Sequence, residues 1–400
     1  MKGNSELILL RITRNILLLS LVSLLNDVSS EMLIPIMPLY LSSIGFTMVW
    51  IGILEGFAEA TAGISKIYFG HLSDKLGIRI PFVRIGYFMS AISKSMLALS
   101  TYTGWIFTAR FSDRFGKGVR TAARDALLSD ETTSENKGAV FGFHRAFDTT
   151  GAALGPVIAL LFLWKFPANY QTLFLIAFIP SILSVLFTFY IKEKVKKTVS
   201  KYKPSVIQSF SYWRTATSSY KKLILPLLLF SLVNSSDAFM LLMMKQVGMS
   251  DTEVLMLYIF YNLVYASFAL PIGKYGDKIG LKTILVFGLI IYSVSYTGMA
   301  LTHSQFIYYL IFFAYGIYAA STEGISKALI SNLVPKSETA TAIGFFAGAQ
   351  SICILLCNVA AGFIWQQYGA PIVFIIAASG ALLAAVYLST QNLKLIRSDN

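Results

Sequence analysis

Cysteine is almost absent from this 400-residue sequence, which has only Cys353 and Cys357. Four residues apart, the two would share one helix face as small packing side chains. They offer neither a disulfide framework nor a zinc-ligand spacing. Charge is scarce too: Asp, Glu, Lys and Arg make up 13% of the chain, against about 25% in soluble domains. Histidine occurs three times. The sequence has no G-x-x-x-x-G-K-[ST] phosphate loop, which argues against ATP-driven work by this chain. It also lacks H-E-x-x-H, G-x-S-x-G and any paired histidine cluster, the parts an intramembrane enzyme would need, so no enzymatic activity, metal or cofactor is expected.

What the chain has is apolar surface. Hydrophobic residues make up 56% of it, and the mean hydropathy of +0.65 extends over its whole length, so lipid is the expected solvent. Stretches of about 20 apolar residues, each long enough to cross a bilayer, fall at 15–41, 49–71, 82–101, 104–125, 138–163 and 171–191. Six more follow at 223–244, 252–272, 283–302, 305–328, 340–364 and 371–390. The first lacks a small-x-small cleavage site and reads as a retained membrane helix rather than a signal peptide. The expectation is an all-α membrane protein of twelve transmembrane helices.

The net charge of +13 is best read by location. Connections 42–48, 101–104, 303–304 and 365–370 hold no Lys or Arg, whereas the alternate connections carry Lys75, Arg79, Lys137, Lys274, Lys278 and Lys336. Lys165 and Lys245 are the exceptions. Both termini are basic, which puts both in the cytoplasm by the positive-inside rule. Segment 192–222, with eight Lys and one Arg, reads as a cytoplasmic linker held near anionic headgroups rather than as a nucleic-acid site. It divides the chain into an N-terminal bundle, 1–191, and a C-terminal bundle, 223–400.

The halves repeat each other. "GHLSDKLGIR" at 70–79 and "GKYGDKIGLK" at 273–282 align at an offset of 203, pairing Gly70 with Gly273, Asp74 with Asp277 and Gly77 with Gly280. Duplicated six-helix units commonly build a solute site near the bilayer midplane. The G-x-L-x-D-x-x-G-x-R pattern resembles the loop signature of the major facilitator superfamily. Arg110-x-x-Asp113 with Gly116 and Gly118 resembles the family's helix 4 motif, and "GAALGP" at 151–156 its helix 5 G-x-x-x-G-P. "NDVSSEM" and "DRFGKGVRTAARDAL" are similar to a subset of bacterial members. The resemblance implies two pseudo-symmetric six-helix bundles in a bacterial cytoplasmic membrane. It implies a monomeric secondary transporter of a small-molecule solute, driven by a proton or other ion gradient. It also implies a cytoplasmic gate of Gly70, Asp74, Gly77, Arg79, Arg120, Asp277 and Gly280. Ala159 and Leu160 replace the paired glycines associated with drug-exporting antiporters, which weakens that label.

Physics singles out the remaining candidates. Arg110, Arg114 and Lys117 recur at i, i+4, i+7 with Asp113 between them, one charged stripe on a span. A lipid-facing charge at the bilayer centre costs about 2.5–3.5 kcal/mol on the most lenient scale, so the stripe must face inward, while 120–128 is expected to emerge at the cytoplasmic face. Six acidic groups (Asp27, Glu31, Glu55, Glu59, Asp113, Asp148) and six basic ones (Lys66, Lys94, Arg110, Arg114, Lys117, Arg145) populate the first half. Two readings compete for them. One is buried ion pairs that fix helix register. The other is proton carriage by Asp27, Glu31, Asp113, Asp148 and Glu59, with Arg110, Arg114, Arg145 and Lys117 receiving the solute. In the second half, Asn234, Asp237, Tyr261, Tyr265 and Gln350 are the candidates for solute contact, against a packing role for the tyrosines. His144 is placed near a cytoplasmic helix end as a surface or titrating group. The expected activity is transport of a polar organic solute by alternating access, an anionic solute being the one that suits so many arginines. The alternatives are an efflux antiporter for drugs or amphipaths, or a non-transporting receptor of the same fold. No nucleic-acid partner is expected.

Overall fold

Helix after helix carries large apolar side chains turned outward, Trp164, Leu383 and Phe306 among the most exposed. That is the inverse of a water-soluble surface and what a lipid solvent selects. The computed structural model describes residues 13–132, 137–193, 212–302, 304–335 and 338–393, without the side chains of a few helical residues, Asp74 and Asp277 included. Residues 194–211 of the basic linker, His303, Lys336 and the terminal Lys2, Arg11, Lys394 and Arg397 lie outside the described residues.

Fourteen helices appear among them. They are α1 (Arg14–Leu33), α2 (Ile36–Ser43), α3 (Met48–Leu76), α4 (Ile80–Leu99), α5 (Thr103–Asp130), α6 (Lys137–Lys165) and α7 (Tyr170–Thr188), followed by α8 (Ser218–Ser231), α9 (Asp237–Gln246), α10 (Asp251–Ile279), α11 (Leu281–Leu301), α12 (Gln305–Asn332), α13 (Thr339–Tyr368) and α14 (Ala370–Thr390). Twelve spans become fourteen helices because the first and seventh are broken. α1 gives way to α2 at Ile34 and Pro35, where proline supplies no N–H to the helical ladder. α8 and α9 are separated by the unwound residues 232–236. Each break falls in the first span of its half. Unwound backbone at membrane depth is tolerated only where protein or a cavity covers it. Seven spans are apolar enough to be recognised by length and hydropathy alone, with Arg14–Ser43 counted as one. α5 fails that test because of its charges, and α8 and α9 because each is short.

Contacts divide the chain into two units: Met1–Tyr40 with Thr61–Pro204, and Leu41–Ala60 with Ser205–Asn400. The first half of α3 is thus counted with the second unit. There, a methyl group added to Gly56 would stand 2.9 Å from the Leu355 carbonyl oxygen of α13.

Small residues set the helix crossings of the first unit. A Cβ on Gly151 would sit 2.6 Å from the Leu24 carbonyl oxygen, and one on Gly155 2.6 Å from that of Val28, so the G-x-x-x-G of α6 lies against the α1 backbone. A Cβ on Gly86 of α4 would meet the Gly116 carbonyl oxygen of α5 at 2.6 Å. This second crossing brings the charged stripe of α5 onto α4.

The repeated glycine motif is helical for most of its length, where the sequence suggested a loop. α3 runs through Asp74 to Leu76, and only Gly77 turns out of it, at φ +67°. Its counterpart Gly280 closes α10 at φ +98°. A side chain is disfavoured at either angle. Beyond Gly77, Glu193 accepts the backbone N–H groups of Arg79 at 2.7 Å and Ile80 at 3.1 Å, satisfying two exposed donors at the start of α4. Asn15 donates to Glu131 at 2.8 Å and to the Lys192 carbonyl at 2.7 Å. The ends of α1, α4, α5 and α7 are stapled together.

Candidate functional site

A cavity of about 520 Å³, counted with the solvent at its mouth, opens within the first unit. α1 lines it with Asp27, Ser30 and Glu31, α4 with Lys94, and α5 with Arg110, Asp113, Arg114, Lys117 and Arg120. Leu33, Ile34, Met37 and Leu97 supply apolar wall. Five cations thus face three carboxylates. The stripe read from the α5 sequence does point inward, with Arg110 and Arg114 buried and Lys117 exposed.

At its centre, the Lys94 ammonium lies 2.9 Å from Asp113 Oδ1 and donates to Ser30 Oγ at 3.3 Å. Lys94 is 1% exposed. Taking both ions of such a pair out of water costs several kcal/mol each, returned only while the partner stays in place. Arg110, Arg114 and Arg120 also act on the Asp113 carboxylate. The sequence shows Lys94 only as one of six basic groups. Its position deep in an apolar span, ten residues past the other charge of that helix, Arg84, is the signal that marks it.

Arg120 requires a correction. The sequence pattern sets it at the cytoplasmic gate, but it is buried, donates to Ser90 Oγ at 2.6 Å and stacks over the Tyr87 ring at 4.7 Å. The Gly86–Gly116 crossing carries it inward. Arg124, expected to emerge with it, donates to Ser23 Oγ at 2.7 Å, pairs with Asp125 at 2.9 Å and lies 4.0 Å from Asp148. Asp148 also faces His144 Nε2 at 3.6 Å, while His144 Nδ1 sits 3.3 Å from Ser20 Oγ. His144 is 4% exposed and is no surface group. Asp27 feels the charges of both clusters, Asp148 and Arg124 on one side, Arg120 and Lys117 on the other. Arg145, the remaining first-half candidate cation, is exposed and lines no part of the cavity.

The second unit gathers a different group. Asp237, in the first turn of α9, accepts from Tyr315 at 2.5 Å and from Tyr261 at 3.1 Å. Asn234 lies 3.4 Å from the Tyr318 hydroxyl. Glu59, expected beside the other first-half acids, instead acts on Asp237. Tyr265 donates to Glu323 at 3.1 Å, and Gln350 lies 3.5 Å from Ser231 Oγ, both apart from the Asp237 contacts. Tyr315 and Tyr318 were not foreseen, though they continue the tyrosine-rich pattern of α12. Of the gate residues, Gly70 meets Ala122 and Arg79 donates to Ser73 Oγ at 2.7 Å. The Asp74 and Asp277 side chains lie outside the described ones.

The chain is similar to known proteins. The family described as Major Facilitator Superfamily matches residues 19–244 and 223–392. An uncharacterized MFS-type transporter of Methanocaldococcus jannaschii is 35% identical over 363 residues, 89% of each chain. The quinolone resistance protein NorA of Staphylococcus aureus is 28% identical over 127 residues, 32% of each chain. Among solved structures, the nucleoside transporter NupG superposes with a TM-score of 0.75 at 14% identity, covering 94% of this chain and 98% of that one. A bacterial homolog of the human lysosomal transporter Spinster, inward-facing and occupied, gives 0.73 at 16% identity, with 94% of each chain covered. With its duplicated glycine motif, its paired helix breaks and these matches across nearly its whole length, the chain belongs to the major facilitator superfamily.

Proposed function

We propose that this protein is a secondary active transporter that moves a polar organic solute carrying an anionic group across the cytoplasmic membrane by alternating access, coupled to protons. One observation carries the reading: a cavity with five cations against three carboxylates, organised on the Lys94–Asp113 pair. A carboxylate or phosphate entering it competes with Asp113 for the Lys94 ammonium and for Arg110 and Arg114, whose forked guanidiniums suit such groups. Protonation of Asp113 releases its hold on those cations and favours the loaded state. Deprotonation restores the pair and favours release. Asp27, linked electrostatically to both clusters, offers the proton a second stop on its way to Asp148 and His144.

A second reading, efflux of an amphipathic compound, is supported by the likeness to NorA and shares the same cavity. Proteoliposomes test both. An imposed pH gradient is expected to drive accumulation of a carboxylate or phosphate solute from a metabolite panel. Accumulation that survives in each of Asp27→Asn, Glu31→Gln, Asp113→Asn and Asp148→Asn removes proton carriage from these residues. A protein that moves only uncharged or cationic amphipaths, leaving every anion behind, replaces the first reading with the second.

A further inference from the structure

The cavity of the first unit has two unlike ends. Lys94 donates to Ser30 Oγ at 3.3 Å and meets Asp113 at 2.9 Å, which sets these three side by side on α4, α1 and α5. α4 and α5 run antiparallel through this level, with Gly86 against Gly116 and Ser90 donating to the Asp113 carbonyl at 3.3 Å. Further along α4 the wall becomes Leu97, and along α1 into α2 it becomes Leu33, Ile34 and Met37. Leu33, Met37 and Leu97 are 5% exposed or less. In the opposite direction stand Arg114, Lys117 and Arg120, with Asp27, which feels the charges of Lys117 and Arg120. Charge follows the same division. Glu31, next to Ser30, and Arg110, one turn from Asp113, border the apolar end with opposite signs. The other charged lining groups are four cations and two carboxylates, so the excess positive charge lies at the Lys94 level and away from Leu97.

A solute filling this space meets excess positive charge with one end and hydrocarbon with the other. A second charge placed against Leu33, Met37 and Leu97 would be stripped of water with no surplus cation to receive it. A methylene placed there gains about fourfold in affinity. From Ser30 to Met37 the chain advances about 10 Å at helical rise, room for a short alkyl or aryl group. We propose that the solute is an amphipathic anion with one charged end, its carboxylate or phosphate at Lys94 and its apolar end against Leu33, Ile34, Met37 and Leu97. This rests on the anion-transport reading and narrows it, from anions in general to those that carry a single charged end and an apolar one.

The test is a calorimetric titration of the purified full-length protein in lipid nanodiscs, with empty nanodiscs as the blank. The probes are the sodium salts of acetate, butanoate, hexanoate and adipate, with inorganic phosphate and hexyl phosphate for the second kind of head group. Affinity is expected to rise about tenfold or more from acetate to hexanoate, or from phosphate to hexyl phosphate. Hexanoate should also bind about tenfold or more tighter than adipate, which has the same length and a second carboxylate. Leu97→Ser should reduce the gain from chain length several-fold, and Ile34→Thr, at the joint between α1 and α2, stands in if the first variant does not fold. An adipate affinity equal to or above that of hexanoate, a flat chain-length series, or an unchanged series in the variant that folds overturns the proposal and leaves the anion reading standing. Saturable binding of hexanol as tight as that of hexanoate removes the charged end and overturns it as well. No saturable binding by any anion fails the anion reading itself, and this proposal with it.

Discussion

The two units share an ancestral pattern and differ in how they keep polar groups inside a membrane protein. The first does it with charge: Lys94 pairs with Asp113 and Arg124 faces Asp148, with Arg120 buried between them on a serine hydroxyl. The second does it with phenols, which surround a single carboxylate on α9 with hydroxyls and ring faces. In the neighbouring register, at an offset of 202, Arg114 becomes Gly316 and Lys117 becomes Ala319. The two halves kept a common glycine motif, while their interiors took up different chemistry.

The largest effect that would break this contrast is loss of one member of the central pair. Asp113→Ala, which leaves Lys94 buried among arginines, is expected to cost about 3–5 kcal/mol, read as a fall in melting temperature of the purified protein. Lys94→Met combined with Asp113→Leu should recover most of that stability yet abolish transport. A double variant as unstable as the single one would show that the pair is not a self-contained unit. Next comes the scaffold: Gly155→Val forces a branched side chain into the α1 backbone and should cost about 1–3 kcal/mol, seen in unfolding and in yield. In the phenolic unit, Tyr315→Phe removes one hydrogen bond to a carboxylate, a loss of about 1.5–3 kcal/mol. The smallest effect sharpens the contrast by position. Arg145→Ala, on the outward face of α6, should change stability by less than about 0.5 kcal/mol and leave transport intact. A large transport defect would mean the cavity is not the only place where first-unit charge is used.

Most helix limits were legible, because apolar length is a direct response to bilayer thickness. The predicted span 371–390 is α14 within a residue. The interruption of the seventh span was not, since hydropathy averages over five unwound residues, although Ser236 followed by Asp237 is an N-cap signature that marks a new helix start. Within the site, α5 periodicity was enough to turn Arg110, Asp113 and Arg114 inward. It failed at Arg120, Arg124 and His144 for one reason. Counting charges near helix ends assigns them to water, while their burial depends on glycine crossings with other helices, which a one-dimensional count does not contain. Lys94 and Tyr315 share that limit, since each owes its role to a partner on a different helix.

Glu193 offers a last consequence. By capping α4 close to the point where Asn15 grips Lys192, it gives the first half a finished edge within the first two residues of the basic linker. A tag, cleavage site or length change introduced after this residue meets a closed seam instead of a fraying helix. Severing the chain there and co-expressing the pieces becomes a practical route to labelling the halves independently.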